Sequence, residues 1–329
     1  MPLLYSFINK FSSGKTEKSK KTQSLKKHLL AQNALISYTA TAEHVQNASE
    51  RIIMITQDFI HFDDISFSYP GENAKNIFEH FTAQLPPGFI SLVGPNASGK
   101  STFMLLASGR LMAQQGKATL FGENLCAMPE EQRNALASVI YQNMEFESTD
   151  ATGDILEQVG EKGEKNKKTS SNISHKEIIS VFELQSVLTR PLHALSKGEM
   201  QRTLLACAVL YGSRSLFMDE PLFALEARQK ESALEYLKHY SKEHRIPVYI
   251  SLHELELSRK YAENILLFYP NRDIDFGTPE EVLTKESLEK SYAVPMSMLK
   301  DSENLNRKIL AEQAQLYAES KKQKGSSQN

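Results

Sequence analysis

Phe89-Ile-Ser-Leu-Val93 runs straight into Gly94-Pro-Asn-Ala-Ser-Gly-Lys-Ser101. A short apolar stretch, a turn spaced GxxxxGK[ST] and a helical pattern from Lys100 onward describe a strand, a tight loop and a helix in that order. The glycines let the backbone close around phosphate oxygens with successive N–H groups turned inward. The helix start adds the positive end of its dipole. On this reading Gly94, Pro95, Asn96, Ala97, Ser98, Gly99, Lys100, Ser101 and Thr102 form a phosphate cradle. The Lys100 ammonium reaches the outer phosphates and the Ser101 hydroxyl ligates Mg²⁺. A chance glycine-rich turn would not come with both the strand before it and the helix after it.

The surrounding chain repeats the pattern. Ser138–Tyr141, Ser215–Met218 and Val248–Leu252 are further short apolar runs, each followed by polar residues and then a helix-like segment. Such alternation predicts an α/β domain with a mostly parallel sheet. Ile60–Tyr69 and Ile77–Gln84 alternate more strictly and predict an antiparallel piece before it. The Lys-rich, Gly-containing stretch Gly160–Asn172 reads as a surface loop between helices. Asp219-Glu220 ends the third apolar run. An acid there is costly unless it is paired or faces a cation, or unless it caps the next helix. Facing a cation, Asp219 would hold Mg²⁺ and Glu220 would serve as general base toward an attacking water.

Composition narrows the classes. The chain has 329 residues, of which 40% are hydrophobic, enough for a buried core. With 38 basic and 40 acidic residues the net charge is −2, which gives no reason to expect nucleic acid as a partner. No apolar run approaches the ~18 residues that span a bilayer. Cys126 and Cys207 form no CxxC pair, so neither a disulfide framework nor a Cys zinc site is expected, and Cys207 reads as a small core residue.

Three parts follow: a polar, locally basic extension over 1–57, a domain over 58–295, and a charged helix with a Lys/Ser/Gln tail over 296–329. Seven lysines stand between Lys10 and Lys27 against the single acid Glu17. The extension reads as a flexible arm, as a membrane-surface anchor using Leu3, Leu4, Phe7 and Ile8, or as a leader ahead of a start at Met54. The apolar beginning lacks the basic region and cleavage site of a secretory signal.

Ala194-Leu-Ser-Lys-Gly-Glu-Met-Gln-Arg202 stands before the Asp219 strand. With the phosphate loop and Asp219-Glu220-Pro221 it resembles the ATP-binding subunit of an ABC transporter over about residues 59–294, with the motifs in the family's order. The resemblance implies an ABC ATPase fold: a RecA-like P-loop NTPase core, an antiparallel β subdomain and an inserted helical subdomain at about 143–195. It makes Tyr69 the aromatic that stacks on adenine, Gln142 the Q-loop glutamine and a Mg²⁺ ligand, and His253 the switch histidine. Ser196, Gly198 and Glu199 become the signature that closes over a second subunit's ATP. Plainer readings exist for each: Tyr69 as a strand aromatic, Gln142 as a strand-end surface residue, His253 as a helix cap, and Ser196 with Glu199 as a capping box. The last is compatible with phosphate binding, since a helix start with free N–H groups suits an anion.

Gly277-Thr-Pro-Glu-Glu-Val-Leu283 and Glu199 are similar to the iron-siderophore, haem and cobalamin importer group. The chain departs from the family's pattern at Lys197, Glu199, Phe223 and Glu226, which bears on turnover and on coupling between paired sites. One copy of each motif implies a pair of such domains with two ATP between them. The resemblance further implies separate permease subunits, a substrate-binding protein, and a cytoplasmic position on the inner face of the cell membrane. A soluble ABC ATPase of translation, repair or cluster assembly, an exporter ATPase and a non-catalytic nucleotide-binding regulator are the alternatives.

Overall fold

The structure, a computed structural model, describes residues 59–71, 76–142, 144, 148–166 and 174–293. The readings made for the N-terminal extension, for the C-terminal helix and tail, and for residues 167–172 lie outside them.

β1 (Ile60–Ser68) turns Ile60 and Phe62 inward, bulges at Asp63 and Asp64, then resumes with Ile65 and Phe67 inward. It pairs antiparallel with β2 (Asn76–Leu85), Ile60 opposite Leu85. β3 (Phe89–Val93) is buried at every position. A strand covered on both faces carries an unbroken apolar run, which is why it stood out in the sequence. After the phosphate loop comes α1 (Lys100–Ala107), then β4 (Gln115–Leu120) and the short β5 (Glu123–Asn124). These complete a four-stranded antiparallel sheet ordered β2-β1-β4-β5.

The chain continues through α2 (Glu130–Leu136), β6 (Ser138–Ile140), α3 (Thr152–Asn166), α4 (His175–Val181) and α5 (Lys197–Leu210). It then runs through β7 (Leu216–Met218), α6 (Ala227–His244), β8 (Val248–Ser251), α7 (Leu255–Tyr261), β9 (Asn264–Phe268), β10 (Ile274–Gly277), α8 (Pro279–Val282) and α9 (Lys285–Tyr292). The second sheet is ordered β10-β9-β3-β8-β7-β6; all its pairings are parallel except β10 with β9. Strand β3 thus lies in mid-sheet, and the phosphate loop emerges at its C-terminal edge, where open α/β sheets bind ligands.

Two apolar layers fix this arrangement. Between the sheets, Phe59, Phe62, Phe103, Phe217, Tyr249 and Phe268 are buried together. Phe103 stands edge-on to Phe268 at 5.6 Å between ring centres, anchoring α1 to β9. On the other side Leu156 and Val159 of α3, Leu205 and Val209 of α5 and Leu234 and Leu237 of α6 form a second core with β7 and β8. Each fully buried Leu or Phe contributes about 1.5–3 kcal/mol relative to exposure.

The loop expected over Gly160–Asn172 is in part a helix: residues 160–166 belong to α3. Its glycines serve packing rather than turning. A Cβ on Gly163 would lie 2.0 Å from the Leu210 carbonyl oxygen, so only glycine lets α3 approach α5 this closely. The polar residues that suggested a loop, such as Glu161 and Glu164, cover the solvent side.

Candidate nucleotide site

Gly94 turns the chain out of β3 with φ 144°, and a Cβ there would sit 2.6 Å from the Phe268 carbonyl oxygen. The loop continues through Ala97, whose φ of 60° is left-handed, and Gly99 at φ 109° before α1 begins. The Lys100 side chain folds back over the loop and donates to the carbonyls of Gly94 and Pro95, both at 2.8 Å. It is only 7% exposed. Burial holds its pKa below the usual lysine range, while the nearby carboxylates of Glu220 and Asp219 pull it back up. Ser98 Oγ is buried with no hydrogen-bond partner. A cationic, donor-rich cradle with an orphaned buried hydroxyl fits a polyphosphate.

The strand ends opposite the loop bring two predicted residues onto the carboxylate of a third. Gln142, just past β6, donates from Nε2 to Glu220 Oε2 at 2.6 Å. His253, just past β8, has Nε2 2.8 Å from the same oxygen. Glu220 itself sits at φ 49°, a left-handed backbone, with its N–H donating to Ser251 Oγ at 2.8 Å. Ser251 in turn donates to Asp219 Oδ1 at 2.6 Å. One hydroxyl therefore orients both acids. Asp219 Oδ2, the Gln142 side-chain carbonyl and the Ser101 hydroxyl are oxygen donors of the kind Mg²⁺ takes. The cap of α7 is Glu254, so His253 does not serve as the helix cap.

Tyr69, 44% exposed, stands beside the cradle with its hydroxyl 3.2 Å from Thr102 Oγ1 on α1. Its ring stands perpendicular to that of Phe67, with ring centres 5.1 Å apart.

Ser196, Gly198 and Glu199 stand apart from this cluster. The capping box expected there forms: Glu199 N–H donates to Ser196 Oγ at 3.3 Å, and Ser196 N–H donates to Glu199 Oε2 at 2.8 Å. Partial burial would raise the Glu199 pKa, but the Ser196 N–H and Arg190, whose Nη1 lies 2.8 Å from Oε1, hold it below the usual carboxylate range. Its carboxylate is thus engaged within its own chain. Lys197 is exposed. Gly198 is pressed against the 222–226 turn: a Cβ would meet the Ala224 carbonyl oxygen at 2.8 Å.

A family model described as ABC transporter matches residues 78–223, from β2 through the phosphate loop, Ser196–Glu199 and Glu220. Residues 78–223 thus match an ABC transporter-type ATP-binding domain.

The domain is similar to the hemin import ATP-binding protein HmuV of Escherichia coli O157:H7, 25% identical over 74% of this chain and 90% of that protein. It shares its fold with a dimeric bacterial ABC transporter cassette, at 18% identity and TM-score 0.58 over 67% of this chain and 98% of that one. It also shares it with a metal-chelate type ABC transporter in an inward-facing conformation, at 19% identity and TM-score 0.56 over 73% and 90%.

Contacts that sequence reasoning missed tie the ATPase site together. Gln201 of α5 donates to the Glu220 carbonyl at 3.4 Å and accepts from Ala224 N–H at 2.7 Å, linking the signature helix to the acid-bearing turn. Lys230 of α6 pairs with Glu254 at 2.5 Å, both largely buried, beside His253. Arg272, in the β9–β10 turn, donates to the Ala97 carbonyl. The one sequence signal was for Ser251, a hydroxyl inside an otherwise apolar strand. Phe223 is half-buried, and Glu226 is the N-cap of α6, its N–H donating to Gln229 Oε1 at 3.3 Å. Cys207 is buried and its thiol is pushed up to about 12 by burial; Cys126 is exposed.

Proposed function

We propose that this chain is the ATP-hydrolysing subunit of an importer for an iron-siderophore, haem or cobalamin-type cargo. The observation that carries the ATPase chemistry is the convergence of Gln142 and His253 on one oxygen of Glu220, across from the Lys100 cradle. On this reading Gly94–Thr102 hold the phosphates and Tyr69 stacks on adenine. Ser101, Gln142 and Asp219 hold Mg²⁺, which when bound neutralises charge building on the phosphates. Glu220 accepts the proton of the attacking water, and His253 and Gln142 fix its orientation. Ser196 and Gly198 serve a second copy of the chain through the free N–H groups of α5; Glu199 contributes by capping that helix.

Among the described residues no helix is long and apolar enough to cross a membrane. The proposal therefore calls for separate permease subunits, a homodimer of this chain at the inner face of the cell membrane, and a substrate-binding protein. The hemin-import relative and the metal-chelate type neighbour support the cargo class. The domain boundaries follow the same reading: 1–57 as an extension, 58–295 as the ATPase with its helical subdomain at about 143–195, and 296–329 as an appended segment.

The test is reconstitution. The chain is co-purified with its membrane partner into proteoliposomes, and ATP-driven uptake of haem, an iron siderophore and cobalamin is measured. Uptake of one of them that is lost in Glu220→Gln supports the proposal. ATPase activity without uptake of any of the three rejects the cargo class. Recovery of ribosomes rather than a polytopic partner rejects the transport role.

A further inference from the structure

The phosphate loop contains a backbone conformation its sequence does not favour. Ala97 sits at φ 60°, in the left-handed region where a Cβ meets the following carbonyl and where glycine is the default residue. An alanine held there persists only if its surroundings over-determine it. The conformation matters because alternating right- and left-handed residues turn successive N–H groups to one side and so make an anion cradle.

The surroundings that hold it come from a distant part of the chain. The β9–β10 hairpin backs onto the loop at both ends. Its Phe268 carbonyl oxygen lies 2.6 Å from where a Cβ on Gly94 would be, and its Arg272 Nη1 donates to the carbonyl of Ala97. The same Nη1 is 3.9 Å from the position of a Cβ on Gly99. Arg272 reaches across because its own backbone is bent: φ is 78°, in a turn closed by Tyr269 N–H to the Asp273 carbonyl and Arg272 N–H to the Tyr269 carbonyl, both at 3.0 Å. An Asn271–Asp273 side-chain bond of 2.6 Å braces it further.

We propose that Arg272 is a positioning residue of the nucleotide site: through the Ala97 carbonyl it holds the phosphate loop in its left-handed, donor-inward form before ligand arrives. The proposal rests on the reading of residues 94–102 as the phosphate site. It predicts that the arginine is needed because residue 97 is an alanine. A glycine there would adopt the conformation unaided and make the arginine redundant.

The experiment measures ADP affinity by calorimetry on the full chain for four proteins: the parent, Arg272→Gln, Ala97→Gly and the double variant. Arg272→Gln in the parent background should weaken ADP about three- to tenfold, the size expected for losing one exposed hydrogen bond of ordinary net strength, and should raise the KM for ATP with kcat within about twofold. In the Ala97→Gly background the same substitution should change affinity by less than about twofold. An equal loss in both backgrounds would mean that Arg272 touches the nucleotide directly and would overturn the proposal, as would no loss in either. Lys100→Ala serves as the control. If it leaves ADP binding unchanged, the phosphate-site reading fails and the proposal with it. Should Arg272→Gln precipitate, Arg272→Lys replaces it, and the same dependence on residue 97 is the deciding result.

Discussion

Replacing Tyr69 separates two contributions that the sequence alone merges. The ring stacks on adenine in the proposed complex, and the stacking reading by itself makes Tyr69→Phe nearly silent. The structure gives the hydroxyl a partner, Thr102 Oγ1 at 3.2 Å, on the helix that follows the phosphate loop. Thr102 is buried, so its hydroxyl loses a contact that water does not readily replace. The bond is long and neutral, worth about 0.5–1 kcal/mol, or about a two- to fivefold rise in the KM for ATP. Tyr69→Ala removes the ring as well. Base–aromatic stacking is worth about 1–3 kcal/mol in nucleic-acid binders and a free nucleotide falls in or below that range, so KM should rise about 5- to 100-fold. Adenine lies far from the bond that breaks, and its binding is equal in ground and transition states, so kcat should stay within about twofold for both variants. Steady-state ATPase assays over a wide ATP range give both constants. If Tyr69→Phe is as damaging as Tyr69→Ala, the ring contributes nothing and stacking is wrong. If kcat falls while KM stays, Tyr69 acts on the chemistry. If neither constant moves, adenine is held elsewhere.

Lys100→Ala should abolish hydrolysis and weaken ATP binding, because the cradle loses the ammonium that lies over it; unchanged turnover in purified protein would refute the phosphate site. Glu220→Gln should retain ATP but not hydrolyse it, since the amide cannot accept the water's proton, and light scattering at saturating Mg-ATP should show a dimer; a monomer there rules out the paired arrangement. Gly163→Ala should destabilise the fold by roughly 1–3 kcal/mol, lowering the melting temperature by about 2–10 °C. Helix propensity alone favours alanine by about 1 kcal/mol, so a rise in melting temperature would show that α3 does not press on Leu210 as described.

Two kinds of strand could be seen in the sequence, the alternating β1 and β2 and a set buried on both faces, although β9, buried over Ile265–Phe268, was not picked out. β3, β6, β7 and β8 are short unbroken apolar runs, and each was located within about a residue. β4 starts Gln-Gly-Lys and β10 is Ile-Asp-Phe-Gly, so partial exposure breaks up the apolar signal of each. Gly160–Asn166 misled for a different reason. Glycine and lysine in a row look like a loop, and only the presence of Leu210 from another helix shows why a helix needs glycine there. The phosphate loop was found by its spacing and the two acids by their place at the end of an apolar run, and Gln142 and His253 were named only through the resemblance to the ABC ATPase family. Ser251 and Gln201, which aim Glu220, were not, because what they do depends on partners 31 and 19 residues away.

The mid-sheet position of β3 has a consequence for biosynthesis. Its neighbours on both sides are late segments: Phe89 pairs with Val248 on one edge and Ile90 with Asn264 on the other. The Arg272 contact to Ala97 spans 175 residues. A ribosome adding about 5–20 residues per second needs about 10–35 s to cover that distance. During that interval the phosphate loop exists as sequence but has no sheet to stand on and no hairpin behind it. On the proposed reading of the site, nucleotide is expected to stabilise this domain only once β9 and β10 have been made, and a product truncated before Asn264 should bind ADP far more weakly than the full chain by calorimetry.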